Sequence, residues 1–500
     1  VSATVTRTID RLDRTAAPPA RPGWRRTLGP DLGASLVVFL VALPLCVGVA
    51  VASGVPAELG IVTGIVGGIV VGLLPGSTMQ VSGPAAGLTV LVADAVAKHG
   101  LAALGLIVLG AGLLQILLGA LRCGTLFRAI SPAVVQGMLA GIGLVLILGQ
   151  LYPLLGGRQP VGTWDKIAGL PGLLGSALTT TPGLSALAVG ALTLVVLTQW
   201  RRAPKRLRVV PGVLVGVVTS AVVALLAGLD VQRIQVGDLL REIQLPDFSL
   251  LDAGILGSAL VFALVSSAES LFSAAAVDRM HSGPRTRYNP ELIAQGVGNT
   301  LCGLLGALPM TAVIVRSAAN VQAGARTRAA RVLHGVWLLL FVALLPGLLA
   351  YLPTAVLAAL LVHAGWKLLG VRGVAAMLRA DRAEGAILLL TAGLILATDL
   401  LTGTLAGLLA AVLKTAWDVS HLSVQVTPHG PEDEVVVLRG NATFLRLPRL
   451  LAVLEGLPLT KHVRLDLRGL RHLDQACEQA IEHWAARHQA TGLDVEVVKE

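Results

Sequence analysis

The stretch Pro75-Gly-Ser-Thr-Met-Gln-Val-Ser-Gly-Pro-Ala-Ala-Gly-Leu-Thr-Val-Leu-Val-Ala-Asp-Ala-Val96 decides how this chain folds. Its apolar part, Ser82 to Val96, holds about fifteen residues and as a helix would cover about 22 Å, short of the roughly 30 Å hydrocarbon slab of a bilayer. Gly76, Gly83 and Pro84 make the segment before it a poor helix. The stretch therefore predicts a half-helix that begins at membrane depth. Such a helix points unpaired backbone N–H groups and a partial positive charge into the protein, a seat for an anion. A kinked full-length helix is the alternative.

A second copy favours the half-helix. Gly303-Leu304-Leu305-Gly306-Ala307-Leu308-Pro309-Met310 echoes Gly72-Leu73-Leu74-Pro75-Gly76-Ser77-Thr78-Met79, and each follows an apolar helix opened by Glu-Leu, at Glu58-Leu59 and Glu291-Leu292. Another short apolar piece follows, Thr311 to Val321, interrupted by Arg316. Broken apolar segments at corresponding places in two halves of a chain point to a transport site at the bilayer midplane.

Composition sets the class. The chain is 54% hydrophobic and 14% charged, with a mean hydropathy of +0.78, which marks an integral membrane protein. Fifty-seven glycines against seven Phe suit close helix packing in lipid. Cys46, Cys123, Cys302 and Cys477 have no disulfide or metal spacing and read as packing residues. The net charge of +10 comes without a basic stripe interleaved with aromatics, so it reports cytoplasmic loops rather than nucleic acid. Neither a nucleophile, a metal cluster nor a cofactor motif is legible, so no enzyme and no cofactor is expected.

Residues 1–30 form a polar, basic arm (Arg7, Arg11, Arg14, Arg21, Arg25, Arg26) without a signal-peptide core, expected in the cytoplasm. Seven apolar spans follow at about 33–52, 58–74, 82–96, 101–120, 129–152, 183–200 and 208–229. Seven more lie at about 252–275, 290–307, 311–323, 329–351, 354–370, 384–399 and 401–418. An odd number per half gives the halves opposite orientations, so the transmembrane domain, residues 31–420, is expected to be an all-α inverted repeat of seven plus seven spans.

Loop charges test that topology. With the arm inside, the inner loops carry Arg122 and Arg128; Arg201, Arg202, Lys205, Arg206 and Arg208; Arg279, Arg285 and Arg287; Arg326, Arg328 and Arg331; and Arg372, Arg379 and Arg382. The long outer connections 153–182 and 230–251 carry two each, Arg158 and Lys166, Arg233 and Arg241. This is the positive-inside pattern, and it places the chain in the cell (inner) membrane with both termini cytoplasmic. Beyond His421 the periodicity changes to strands at 422–426, 434–438, 462–467 and 493–498, with helices at 447–457 and 478–488. Residues 421–500 thus read as a small cytoplasmic α/β domain.

Several of these pieces together carry a resemblance. They are Asp31 with Leu43-Pro44 in the first span, Ser82-Gly83-Pro84 in the third and Ala268-Glu269-Ser270-Leu271 in the eighth. Glu291-Leu292-Ile293-Ala294-Gln295-Gly296 with Gly298-Asn299 stands in the ninth, and Arg316-Ser317-Ala318-Ala319-Asn320 with Gly324-Ala325-Arg326-Thr327 in and after the tenth. The chain past residue 30 resembles the SulP, or sulfate permease, anion transporters. Its tail is similar to a STAS domain, with Gly440 and Phe444 before the first helix and Asp474 before the second. The resemblance implies a core domain (spans 1–4 and 8–11), a gate domain (5–7 and 12–14), an anion held between the N-termini of spans 3 and 10, elevator-like movement and a homodimer. It places Ser82, Gly83, Pro84, Ala85, Ala86, Val315, Arg316 and Ser317 around the anion, with Pro44 and Leu45 on the first span. Many relatives carry Gln after that proline; here Leu45 and Cys46 follow it, which makes that side of the pocket less polar and leaves bicarbonate or small carboxylates open beside sulfate. Gln475 follows Asp474 where phospho-switched STAS domains carry Ser.

Charges inside the membrane cost at least about 2.5 to 3.5 kcal/mol, so Glu269 and Arg316 are functional by default. Glu269 and Ser273 lie one helical turn apart and form the expected coupling-ion site, for a proton or for Na⁺. The alternative is a structural ion pair between Glu269 and Arg316. Asp278 reads as a solvated boundary charge, and His334 and His363 as packing residues. The expected function is secondary active, proton-coupled transport of a dicarboxylate, bicarbonate or sulfate. The alternatives are Na⁺-coupled symport, a passive anion channel, or a carrier of uncharged solutes with the same architecture.

Overall fold

The computed structural model describes residues 24–125, 131–160, 162–204, 210–234, 237, 242–429, 433–458 and 460–499. The expected arm up to residue 23, and Arg128, Lys205, Arg206, Arg208 and Arg241, lie outside them. The described part divides into two compact units, one reaching to Met377 and including Leu388–Thr404, the other made of Leu378–Ile387 and Leu405 onward.

The first half of the first unit comprises α1 (Trp24–Ala52), α2 (Ala57–Val71), strand β1 (Ser82–Pro84) leading into α3 (Thr89–His99), α4 (Leu101–Ala120), α5 (Pro132–Leu154), α6 (Thr163–Thr179), α7 (Thr181–Gln199) and α8 (Gly212–Leu226). The second half repeats the scheme with α9 (Ala253–Val277), α10 (Tyr288–Leu304), strand β2 (Met310–Ala312) leading into α11 (Ile314–Gln322), α12 (Ala329–Leu344) and α13 (Thr354–Leu369). The chain continues through α14 (Val371–Ala380), α15 (Arg382–Ala397) and α16 (Leu400–Val419), which are divided between the two units. Setting aside α6 and α14, these are seven plus seven apolar segments, broken at corresponding places by β1 and β2.

Three boundaries differ from expectation. Helix α1 begins at Trp24, inside the expected arm. The outer connection 153–182 contains α6, whose Trp164 Nε1 donates to Ala397 O at 3.3 Å. The third and tenth spans do not start as helices, because each opens with a three-residue strand. Pro84 lacks the N–H a helix interior needs, and β1 and β2 instead pair antiparallel, Ser82 opposite Ala312 and Pro84 opposite Met310.

Backbone that is not helical at membrane depth must find partners inside the protein. Arg331, 1% exposed, donates five hydrogen bonds, to the carbonyls of Val71, Gly72, Leu74, Ser77 and Gln80, and so closes the gap between α2 and β1. It is thus a buried clamp rather than the loop charge counted above. Glu291 Oε2 accepts from Ser77 N at 2.7 Å, Asn299 Oδ1 from Met310 N at 2.7 Å, and Ser270 Oγ from Ala312 N at 3.3 Å. Asp31, fully buried, accepts from the amides of Arg326 and Thr327 and joins the start of α1 to the turn before α12.

Helices α1–α4 and α9–α12 pack into one bundle. Helix α4 lies along α10 through Gly105, Gly112 and Gly119, spaced seven apart, against Gly296 and Gly303. A Cβ on Gly112 would sit 2.3 Å from Thr300 N, so only glycine allows this approach. Helices α5, α7, α8 and α13 form the facing bundle, joined by α15 where Gly137 and Gly141 of α5 meet Leu388 and Ile395.

The second unit contains a four-stranded sheet, β3 (Leu422–Pro428), β4 (Asp433–Ala442), β5 (His462–Leu473) and β6 (Val495–Val498), in the order β3-β4-β5-β6. β3 and β4 are antiparallel, and the other two pairings are parallel. Helices α17 (Leu447–Glu455) and α18 (Gln475–Gln489) bury Leu450, Leu454, Ile481 and Trp484 against Val436, Leu438 and Leu465. Asp474 caps α18, its carboxylate accepting from Cys477 N at 2.8 Å and from Phe444 N. This α/β arrangement fits a STAS domain.

Candidate functional site

The paired strands set the two half-helices nose to nose. After β1 the chain makes a 3-10 turn, Ala86–Leu88, into α3; after β2 it enters α11 through Val313. The first turn of each helix leaves N–H groups without intrahelical partners, and Ala86, Gly87 and Val315, which carry them, border one cavity of about 1130 Å³. Leu45 and Val49 of α1 and Glu269, Phe272 and Ser273 of α9 complete the wall on the side of the half-helices. Met138, Leu139, Ala364 and Leu368 face them from α5 and α13.

Arg316 is fully buried at the edge of this cavity. Its Nη2 donates to Pro84 O at 3.4 Å, and the thiol of Cys46 is a second partner, while Nε and Nη1 have none among the described residues. Nη1 lies directly over Gly83, where any Cβ would collide with it. Arg316 and Glu269 are not in ion-pair contact, so the structural pair weighed above does not form. Glu269 instead leans on the turn before α3, because a Cβ on Gly87 would lie 2.6 Å from Oε1, and it hydrogen-bonds the hydroxyl of Thr311. Its Oε2 is buried without a partner among the described residues. Ser273, one turn on, is 2% exposed and borders the cavity.

Of the residues singled out by sequence, Leu45, Pro84, Ala85, Ala86, Val315, Arg316, Glu269 and Ser273 meet at the cavity. Ser82, Gly83, Ser317 and Pro44 are not in its lining. Ser82 Oγ accepts from Gln295 Nε2 at 2.7 Å, and Ser317 Oγ accepts from Val81 N at 2.9 Å, so both hydroxyls hold the strands rather than face the cavity. Pro44 sits within α1, where its missing N–H leaves the carbonyl of Leu40 without a helical partner. Asp278 is tied to Thr286, whose amide and hydroxyl it accepts, rather than left to solvent. Gly87 and Thr311 were not foreseen, and Cys46, read as a packing residue that makes that side of the pocket less polar, was not foreseen as a partner of Arg316. Gly87 had a sequence signal, as the glycine after Gly83 in the half-helix read from Ser82 to Val96; the contact of Cys46 with Arg316, 270 positions away, had none, because it is a property of the fold.

Comparison with known proteins shows the family and the fold. The family model described as Sulfate permease family matches residues 28–391. YvdB of Bacillus subtilis (strain 168) is 32% identical over 360 residues, 67% of this chain and 64% of that protein. Bicarbonate transporter BicA of Picosynechococcus sp. is 29% identical over 318 residues, 58% of this chain and 53% of BicA. The chain thus spans between about half and two thirds of the length of these relatives. Among solved structures, the transmembrane domain of a cyanobacterium bicarbonate transporter BicA superposes with a TM-score of 0.65 at 24% identity, covering 77% of this chain and 98% of that one. Murine Slc26a9 in its inward-facing state gives 0.75 at 14% identity, covering 98% and 91%. At these identities the structural likeness is one of fold. With the family model covering most of the chain and the same fold found in these structures, the chain belongs to the sulfate permease family.

Proposed function

We propose that the chain is a secondary active transporter of small anions, of the bicarbonate, small carboxylate or sulfate class, working as a proton-coupled symporter. The observation that carries this reading is Arg316, a buried guanidinium with two nitrogens unpartnered among the described residues, between two helix N-termini at the edge of a cavity. A buried charge left without a counterion costs several kcal/mol, and an anion at the cavity end would offset that cost. Charge-assisted bonds from Nε or Nη1 and the amides of Ala86, Gly87 and Val315 would complete its coordination. Leu45 and Val49 make the neighbouring wall apolar, which suits bicarbonate or a small carboxylate better than doubly charged sulfate.

Glu269 sits within reach of the same half-helix with one oxygen unpartnered among the described residues, so a proton taken up there would remove negative charge beside the anion and link the two loads. Alternating access would follow from sliding the bundle that carries the seat, α1–α4 with α9–α12, against the wall of α5 and α13. The cavity lining continues to Arg279, Arg285 and Arg287, inner-loop residues by the positive-inside pattern, so this conformation would be open to the cytoplasm. A homodimer in the cell membrane with cytoplasmic termini completes the reading.

The test is uptake into proteoliposomes of radiolabelled bicarbonate, sulfate and succinate under a proton gradient, a Na⁺ gradient or neither. Accumulation is expected only with the proton gradient and only with Arg316 present. Uptake indifferent to both gradients would make the chain a passive channel, and competition by uracil would make it a carrier of uncharged solutes.

A further inference from the structure

Helix α14 joins two membrane helices but buries none of its residues. Gly370, in the left-handed conformation at φ 56°, ends α13, and Asp381 alone separates α14 from α15. Helices α13 and α15 have 16 residues each, about 24 Å, so their adjoining ends lie near one face of the bilayer and α14 is tethered there at both ends.

Its sequence, Val-Arg-Gly-Val-Ala-Ala-Met-Leu-Arg-Ala, divides the helix into three faces. Gly373 and Met377 turn toward the protein: a Cβ on Gly373 would lie 3.7 Å from Gln136 Oε1, and Met377 borders the cavity. Val371, Val374 and Leu378, at i, i+3 and i+7, form an apolar stripe roughly a third of a turn away, with Val371 47% and Leu378 37% exposed. Arg372 and Arg379, seven apart and so within about 20° of each other, take the third face, and Arg382 follows at the start of α15. All three arginines are exposed and have no hydrogen-bond or ionic partner among the described residues. The carboxylates nearest in sequence, Asp381 and Glu384, each contact Lys414 at 3.2 Å, which Asp418 shares at 3.1 Å, and among the described residues neither contacts the arginines.

From this partition we infer that α14 is a bilayer-surface helix that binds anionic lipid headgroups through Arg372 and Arg379 while Val371, Val374 and Leu378 dip among the acyl chains. The occupant is lipid because an apolar stripe beside an unpaired basic face matches a membrane surface, which offers hydrocarbon and phosphate side by side. The inference is independent of what the cavity transports. Through Met377 and Gln136, lipid bound at α14 adjoins the wall of α5 that faces the half-helices.

The experiment uses the full chain in nanodiscs made from an equal mixture of phosphatidylcholine and phosphatidylglycerol, with native mass spectrometry counting the lipids retained. The wild type is expected to enrich phosphatidylglycerol. Arg372→Gln with Arg379→Gln removes two cations and is expected to lower that enrichment roughly 30-fold, whereas Arg372→Lys with Arg379→Lys keeps most of it. A wild type with no preference, or a Gln variant with undiminished enrichment, overturns the inference. A nitroxide at Val374→Cys, with the arginines intact, gives a second reading. Relaxation by oxygen with protection from a water-soluble nickel chelate supports burial among acyl chains; relaxation by the chelate places the stripe in water or against a soluble partner and also overturns it.

Discussion

Arg316 lays its guanidinium across Gly83, so that a Cβ at position 83 would strike Nη1. The glycine of the third span and the arginine of the tenth are thus two parts of one seat, and a methyl group on one should displace the other. Gly83→Ala is expected to weaken anion binding at least tenfold, and Arg316→Met by roughly 10- to 150-fold, the range of one lost charge-assisted hydrogen bond. Arg316→Lys keeps the charge but loses the fork and should fall between. Titration calorimetry with bicarbonate or succinate on the purified full chain reads all three; equal affinities across them would place the anion elsewhere.

Glu269 and Gly87 form the second pairing. Glu269→Gln is expected to abolish accumulation against a gradient while leaving equilibrium exchange, because the amide occupies the same volume but cannot take up a proton. Proton-driven uptake at the wild-type level by this variant would assign coupling to another group. Gly87→Ala pushes on the carboxylate from the turn before α3 and should impair gradient-driven uptake without unfolding the chain.

Arg331 serves stability. It donates to five carbonyls of the broken stretch, so Arg331→Met removes five buried hydrogen bonds at once and is expected to cost more than about 3 kcal/mol. Thermal unfolding in detergent should show a clear drop in midpoint. A midpoint unchanged by the substitution would mean that water serves those carbonyls equally well.

Asp474 makes a pH prediction outside the membrane. Burial raises its carboxyl, but the amide bonds from Cys477 and Phe444 outweigh that and hold it below the ordinary carboxylate value. A depressed folded value means the stability it lends is present above the unfolded value, about 3.9, and is lost as pH falls through the folded one. Asp474→Ala should cost about 1 kcal/mol at neutral pH and remove that acid sensitivity. Hydrogen exchange at the amides of Cys477 to Ile481 is the measurement; faster exchange is expected in the variant at pH 7, and equal protection would contradict the capping role.

What the sequence determined by itself is whatever is local or periodic. Hydropathy and chain length locate the apolar segments, since a residue's transfer cost is its own. The Gly-Leu-Leu echo at Gly72 and Gly303 exposes the two breaks because both halves need the same interruption, and alternation after His421 separates the strands from the spans. Tertiary structure decided the rest, because it turns on which distant groups meet. Ser82, Gly83 and Pro84 read as a helix start but pair as a strand with residues some 228 positions away. Arg331 reads as a loop charge, yet it is drawn inside by carbonyls that a broken helix leaves bare. Cys46 reads as packing and touches Arg316. A polar group in an apolar interior takes whichever partner the fold brings within 3 Å or so, and chain order does not encode that distance.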